Sequence, residues 1–140
     1  MGYKISKVDV WVTDLVNRPG MLARCLEAIS NAGGNLEFVV ARRVTERTAR
    51  AFFAPLVGAK QQKAAADVGL QKAGGMHVLR IEGPDKPGLG ARITRAIAAA
   101  NINGRGLSCA SIARKMVCYV AFGSDADLKH AGKVVKKALA

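Results

Sequence analysis

The chain has little of what catalytic and metal sites are made from. Its 140 residues include 3 cysteines, Cys25, Cys109 and Cys118, and 2 histidines, His77 and His130. They fall at no ligand spacing, which excludes a zinc framework. Cys109 and Cys118 can face each other across a hairpin, but buried free thiols are the commoner arrangement, and all three are read as core. No nucleophile stands with a base, and no pair of acids marks a pocket. Gly83–Leu89 follows a strand pattern and precedes a helix pattern, yet Leu89 occupies the place where a phosphate-binding loop needs lysine. No catalytic residue, metal or cofactor is therefore assigned. No apolar run approaches the roughly 20 residues of a membrane span, and the opening MGYKISKVDV lacks the apolar stretch of a signal peptide. The expectation is a cytoplasmic protein without membrane contact.

Aromatic and acidic residues are also scarce, at 5% and 10 residues respectively. Against those acids stand 22 Lys and Arg, a net charge of +12, while half the residues are apolar. The apolar half excludes a disordered basic tail, which would have nothing to bury against its ordering entropy. Alanine contributes 24 residues, so the core should be thin and closely packed.

An internal repeat is the main organising feature. Shifted by 68 residues, Val10 meets Val78, Asp14 meets Glu82, Asn17 meets Asp85, Arg18 meets Lys86, Pro19 meets Pro87, Gly20 meets Gly88, Arg24 meets Arg92, Ile29 meets Ile97 and Asn35 meets Asn103. Two units follow, residues 1–72 and 73–140. In the first, Val8, Val10 and Val12 alternate with polar neighbours as a half-buried strand. Met21, Leu22, Cys25, Leu26, Ile29 and Ala32 form the stripe of an amphipathic helix, stopped by Gly33-Gly34. The apolar runs 36–44 and 49–57 predict a hairpin about Thr45–Thr48, and a second helix is expected over about 59–68. The second unit repeats this with a strand over 76–82, a helix behind Pro87-Gly88, a hairpin over 106–123, and a last helix capped by Ser124 with Asp127 three residues on.

The order β, α, β, β, α in each copy predicts an α+β fold, two ferredoxin-like units whose antiparallel sheets carry their helices on one face. Such a unit normally closes on a fourth strand, and only 70–73 is available to the first copy, while the chain ends in a helix. By the same offset, 70–73 matches Tyr3–Ile5. Residues 70–73 are thus expected to complete the first unit and Tyr3–Ser6 the second, a permuted arrangement. The two units are expected side by side with their sheets joined into one.

The turn before the first helix of each copy is the candidate site. Proline presets the helix entry, glycine lets backbone approach another molecule, and the first helical amides lack partners, so they can hold a carboxylate. Asn17 precedes the helix and Asn35 follows it, and their carboxamide oxygens can accept from an ammonium group. Carboxylate donors beside ammonium acceptors suit a free amino acid. The candidate residues are Asn17, Arg18, Gly20, Met21, Leu22 and Asn35 in the first copy, and Asp85, Gly88, Leu89 and Asn103 in the second. Asp85 would repel a nearby carboxylate, so the first copy should bind more tightly. Arg24 and Arg92 are read as solvated or at a subunit contact, and Trp11 as a core or interface aromatic.

At NRPGML and DKPGLG, and at GGNLEFV and ANINGRG behind them, the chain resembles a tandem of ACT domains, the small regulatory ligand-binding modules of amino-acid metabolism. The first copy is similar to the serine-sensing domain of phosphoglycerate dehydrogenase, whose ligand-contacting asparagines fall on Asn17 and Asn35. The second departs from the pattern at Asp85 and Gly90. The whole is similar to stand-alone double ACT proteins of the glycine-cleavage repressor type. The resemblance implies a non-catalytic protein that binds a small amino acid, signals to a partner enzyme or transcription regulator by allostery, and forms a homodimer.

The rival reading is a basic module of ferredoxin-like fold for nucleic acid or protein, since +12 on a small body attracts phosphate. Arg42, Arg43, Arg47 and Arg50 cluster about the first hairpin. An RNA-reading sheet displays stacking aromatics, however, and Phe38, Phe52, Phe53, Tyr119 and Phe122 read mainly as core, so nucleic acid is the lesser expectation.

Overall fold

The computed structural model describes residues 2–140, so residue 1 of the predicted first unit lies outside it. Along the chain run β1 (Lys4–Val8), β2 (Trp11–Val16), α1 (Met21–Asn31), β3 (Phe38–Arg43), β4 (Thr48–Ala54), α2 (Gly58–Asp67), β5 (Gln71–Lys72), β6 (His77–Pro84), α3 (Leu89–Ala99), β7 (Gly106–Ile112), β8 (Lys115–Phe122) and α4 (Asp125–Leu139). They make two four-stranded sheets, ordered β3-β4-β2-β5 and β1-β6-β8-β7. Every strand pairing is antiparallel. Among the described residues each set of four strands hydrogen-bonds only within itself, so the expected single joined sheet is not formed.

One compact unit is Asp9–Ala73, and the other combines Gly74–Ala140 with the residues up to Val8. The division at 72/73 into contiguous halves is thereby corrected. Strand β1 pairs with β6, from Lys4↔Glu82 to Val8↔Val78, and the two-residue β5 pairs with β2 at Trp11↔Lys72 and Val12↔Gln71. The fourth strands thus come from the segments that sequence matching singled out.

In the Asp9–Ala73 unit, Leu15, Ala51 and Phe53 line one sheet face and meet Cys25 and Ile29 of α1 and Ala65 of α2. Helix α1 ends in a left-handed cap. Gly33 has φ +85°, and the Gly34 amide reaches back to the Ile29 carbonyl at 2.9 Å. A Cβ on Gly34 would lie 2.4 Å from Ile29 Cγ2, so that position needs glycine for space. In the other unit Asn101 takes the left-handed position with φ 59°, the residue type that tolerates it best after glycine.

The second unit buries Leu79, Ile81, Met116, Cys118, Val120 and Phe122 under Ile93 and Ile97 of α3 and Leu128 and Val135 of α4. Both helices again lie on one sheet face. Ser124 caps α4, its Oγ accepting the Asp127 amide at 3.1 Å. Arg92, expected at the solvated face, donates to the Ala138 carbonyl at 2.7 Å and so satisfies the far end of α4. Tyr3 anchors the edge strand. Its ring covers Gly83, where an added Cβ would sit 2.3 Å from Tyr3 Cδ1, and its hydroxyl donates to the Pro84 carbonyl at 2.8 Å. By the repeat, Leu15 is the counterpart of Gly83, so the core volume that Leu15 fills in one unit is filled by the Tyr3 ring in the other.

Three core assignments change. Cys109 is exposed, because β7 is an edge strand with no neighbour beyond it. Phe38 and Phe52 are only half-buried, whereas Phe53, Tyr119 and Phe122 are buried.

Candidate functional site

Each Pro-Gly turn delivers its strand into a helix through a left-handed glycine, Gly20 with φ +91° and Gly88 with φ +82°. That backbone geometry is the first reason for glycine at both places. A Cβ there would meet nothing within 4 Å, so the space above each turn is also open. No side chain caps α1 or α3. In α3 the Leu89 amide donates to the Lys86 carbonyl at 3.2 Å. The Met21 amide has no equivalent bond among the described residues, and so is the freer donor.

The turns are tied to the tips of the adjacent hairpins. The Asn17 amide donates to the Arg47 carbonyl at 2.8 Å, and the Asp85 amide to the Arg114 carbonyl at 2.9 Å. Asn17 adds a second tie, its Nδ2 donating to the Glu46 carbonyl at 3.0 Å. A carboxylate has no donor for that bond, so Asp85 is held by backbone alone. With its amide nitrogen engaged, Asn17 keeps its Oδ1 for a ligand. Arg18 and Gly20 are exposed beside it, whereas the Met21 and Leu22 side chains pack on the core and offer the site only their N–H groups. Leu89 is buried likewise.

The asparagines behind the helices are elsewhere. Strand register pairs Val16 with Thr48 at one end of the sheet, and Phe38 with Ala54 near the Trp11↔Phe53 pair at the other. Asn17 therefore sits at the hairpin-tip end and Asn35 at the opposite end, separated by the 11 residues of α1, about 16 Å of helix. Asp85 and Asn103 are divided in the same way by α3. Within one unit the structure brings together Asn17, Arg18, Gly20, Met21 and Leu22, and separately Asp85, Gly88 and Leu89; it leaves Asn35 and Asn103 apart from them.

Sequence reasoning missed the hairpin tips as part of the site. The signal for them was weak: Ala113 and Arg114 both take left-handed backbone, with φ 51° and 67°, in a two-residue turn usually made of Asn and Gly. The sheet face away from the first core carries Asp14, Arg50 and Arg42 in register. Arg50 Nε donates to Asp14 Oδ1 at 2.7 Å, and this hydrogen bond holds the Asp14 carboxyl below the usual carboxylate range. The same face carries half-buried Phe52 between Val12 and Val40, and half-buried Phe38 diagonal to it on the neighbouring strand. A shallow groove of about 740 Å³ runs along α3, lined by Ala91, Arg92, Thr94 and Arg95 among others, and contains none of the predicted site residues. Among the described residues no three His, Cys, Asp or Glu side chains cluster as metal ligands would, and no helix is long and apolar enough to cross a membrane.

No protein-family model and no curated protein matches the chain. Solved structures do match. Protein BT0572 from Bacteroides thetaiotaomicron is similar at 14% identity and a TM-score of 0.80, over 96% of this chain and 91% of that one. The regulatory subunit of aspartate kinase from Thermus thermophilus is similar at 14% identity and a TM-score of 0.66, over 99% and 97%. Aspartokinase III from E. coli, in complex with lysine and aspartate, is similar at 14% identity and a TM-score of 0.53, over 97% of this chain and 31% of its own. The fold shared with them is two ferredoxin-like α+β units. At these identities the likeness is one of fold.

Proposed function

We propose that the chain is a non-catalytic regulatory protein that binds a small amino acid at the Pro19-Gly20 end of the Asp9–Ala73 unit and passes its occupancy to a partner enzyme or transcription regulator. The observation that carries this is the Asn17–Leu22 turn: a left-handed glycine, an uncapped helix start in open space, and an asparagine oxygen beside it. The Gly20, Met21 and Leu22 amides hold the carboxylate, helped by the positive end of α1 and by Arg18. Asn17 Oδ1 accepts from the ammonium group. Asn35 and Asn103 take part only if a second chain in antiparallel orientation presents that end of its own unit, which is the homodimer reading. The fold shared with a regulatory subunit of aspartate kinase, and with an aspartokinase whose structure holds lysine and aspartate, supports an amino acid as the ligand class. The closer kinship to the glycine-cleavage repressor type, and a cytoplasmic setting, belong to this proposal too.

Calorimetry against the twenty amino acids tests it. A saturable heat for one of them is expected, weakened about 10- to 150-fold by Asn17→Ala, the loss of one hydrogen bond to a charged group. Asp85→Ala should change it little. No heat and no thermal shift at millimolar concentration would refute the sensor reading and leave a partner-binding module. A salt-dependent shift of nucleic acid on a gel, without an amino-acid response, would favour the basic face around Arg42 and Arg50 instead.

A further inference from the structure

We propose that Cys109 and Cys118 form a thiol-modification site, a cross-strand dithiol that low-molecular-weight disulfides such as oxidised glutathione convert to an intramolecular disulfide.

The geometry follows from strand register. Cys109 lies directly opposite Cys118 in the β7–β8 ladder, so both side chains emerge on the same sheet face. Antiparallel pairs alternate between hydrogen-bonded and non-hydrogen-bonded, and two observations fix which kind this is. The Asp85 amide bonds to the Arg114 carbonyl, which continues the β6–β8 ladder and makes Ile81/Cys118 a hydrogen-bonded pair on that side. The backbone N–H and C=O of Cys118 thus both point to β6, away from β7. Independently, the two-residue turn at Ala113-Arg114 makes Ile112/Lys115 a hydrogen-bonded pair, and counting back by alternation leaves Cys109/Cys118 non-bonded. Such pairs hold their Cα atoms about 4.5 Å apart with side chains close, inside the window that a disulfide spans.

The two thiols differ in access. Cys109 is exposed on the edge strand, and Cys118 is fully buried in the core beneath the helices. Burial first, and then the adjacent Cys109 sulfur toward which the Cys118 thiol donates, push the Cys118 thiol well above the ordinary cysteine range. Cys109 is therefore the sulfur that meets a reagent from solution. Its thiolate attacks the small disulfide, forming a mixed disulfide and expelling one small thiolate. Cys118, after losing its proton to solvent, attacks the Cys109 sulfur and expels the second. The protein loses two protons and two electrons, and the small disulfide is reduced to two thiols. The nearness of Cys118 to its target offsets its low thiolate fraction. Cys25, also buried, stands outside this pair.

The test is intact-mass and peptide analysis of the reduced full chain after incubation with oxidised glutathione. Loss of two hydrogens, with a linked Cys109–Cys118 peptide in a monomer, is the expected result. Cys118→Ala should stop at a glutathione adduct on Cys109, and Cys109→Ser, at an exposed position that leaves the fold intact, should neither lose hydrogens nor carry an adduct. A wild-type chain that accumulates a stable Cys109 adduct, or that links Cys109 between two chains, would overturn the proposal.

Discussion

Replacing Gly83 with alanine should unseat the N-terminal strand from its sheet. The added methyl would lie 2.3 Å from Tyr3 Cδ1, 2.8 Å from Cε1 and 3.0 Å from Cγ, so the whole ring has to leave rather than a flexible tip. A buried aromatic covers 150–250 Å², and half of that for the half-buried Tyr3 is about 100 Å², or about 2.5 kcal/mol at 25 cal/mol per Å². The Tyr3 hydroxyl also loses the Pro84 carbonyl, worth about 1 kcal/mol. Alanine returns about 0.5 kcal/mol by restricting the unfolded chain, and the displaced ring keeps some contact, so the net loss is about 2 kcal/mol. Urea denaturation followed by circular dichroism measures it, and hydrogen exchange of the Lys4–Val8 amides localises it. The decisive comparison is the double-mutant cycle with Tyr3→Ala. Without the ring there is nothing to displace, and Gly83→Ala should become neutral or slightly stabilising, a coupling of about 2 kcal/mol. An equal cost in both backgrounds would refute the account of Tyr3 as the anchor.

Ser124→Ala strands the Asp127 amide at the start of α4 and should cost about 1 kcal/mol in urea denaturation. Replacing Ala113 with Asn and Arg114 with Gly relieves two left-handed residues and should raise stability by about 1–2 kcal/mol in the same assay, with the strand register unchanged by NMR. Arg50→Gln should let the Asp14 carboxyl rise toward its ordinary range, read by NMR titration. The native value is depressed, so the stabilisation by this pair is complete above the unfolded aspartate value, near pH 4, and fades as pH falls through the native one. The variant should lack that acid-side fade.

Local pattern carried most of the fold. The stripe from Met21 to Ala32, the Gly33 stop and the Ser124 cap all depend on contacts within a few residues, and each is realised where the residues imply it. Even the exchange of the N-terminal strand was legible, because a ferredoxin-like unit short of one strand leaves a countable gap, and Tyr3–Ser6 matched it. The hairpin ends shifted by only a few residues, since frayed termini carry little periodicity.

What the sequence could not contain was distance. Asn17 and Asn35 look like two flanks of one turn along the chain, but a helix displaces its ends by its own length and the following strand starts from the far end of the sheet. The bond from Asn17 to the Glu46 carbonyl joins residues 29 positions apart, and no local preference announces it. Exposure of Cys109 was equally invisible. Its neighbours are as apolar as those of a core strand, and only the order β1-β6-β8-β7, a property of how the strands assemble, makes it an edge. Periodicity and caps are set by interactions that a short peptide already has; site convergence and edge status arise when distant segments pair, and the tertiary structure alone decides them.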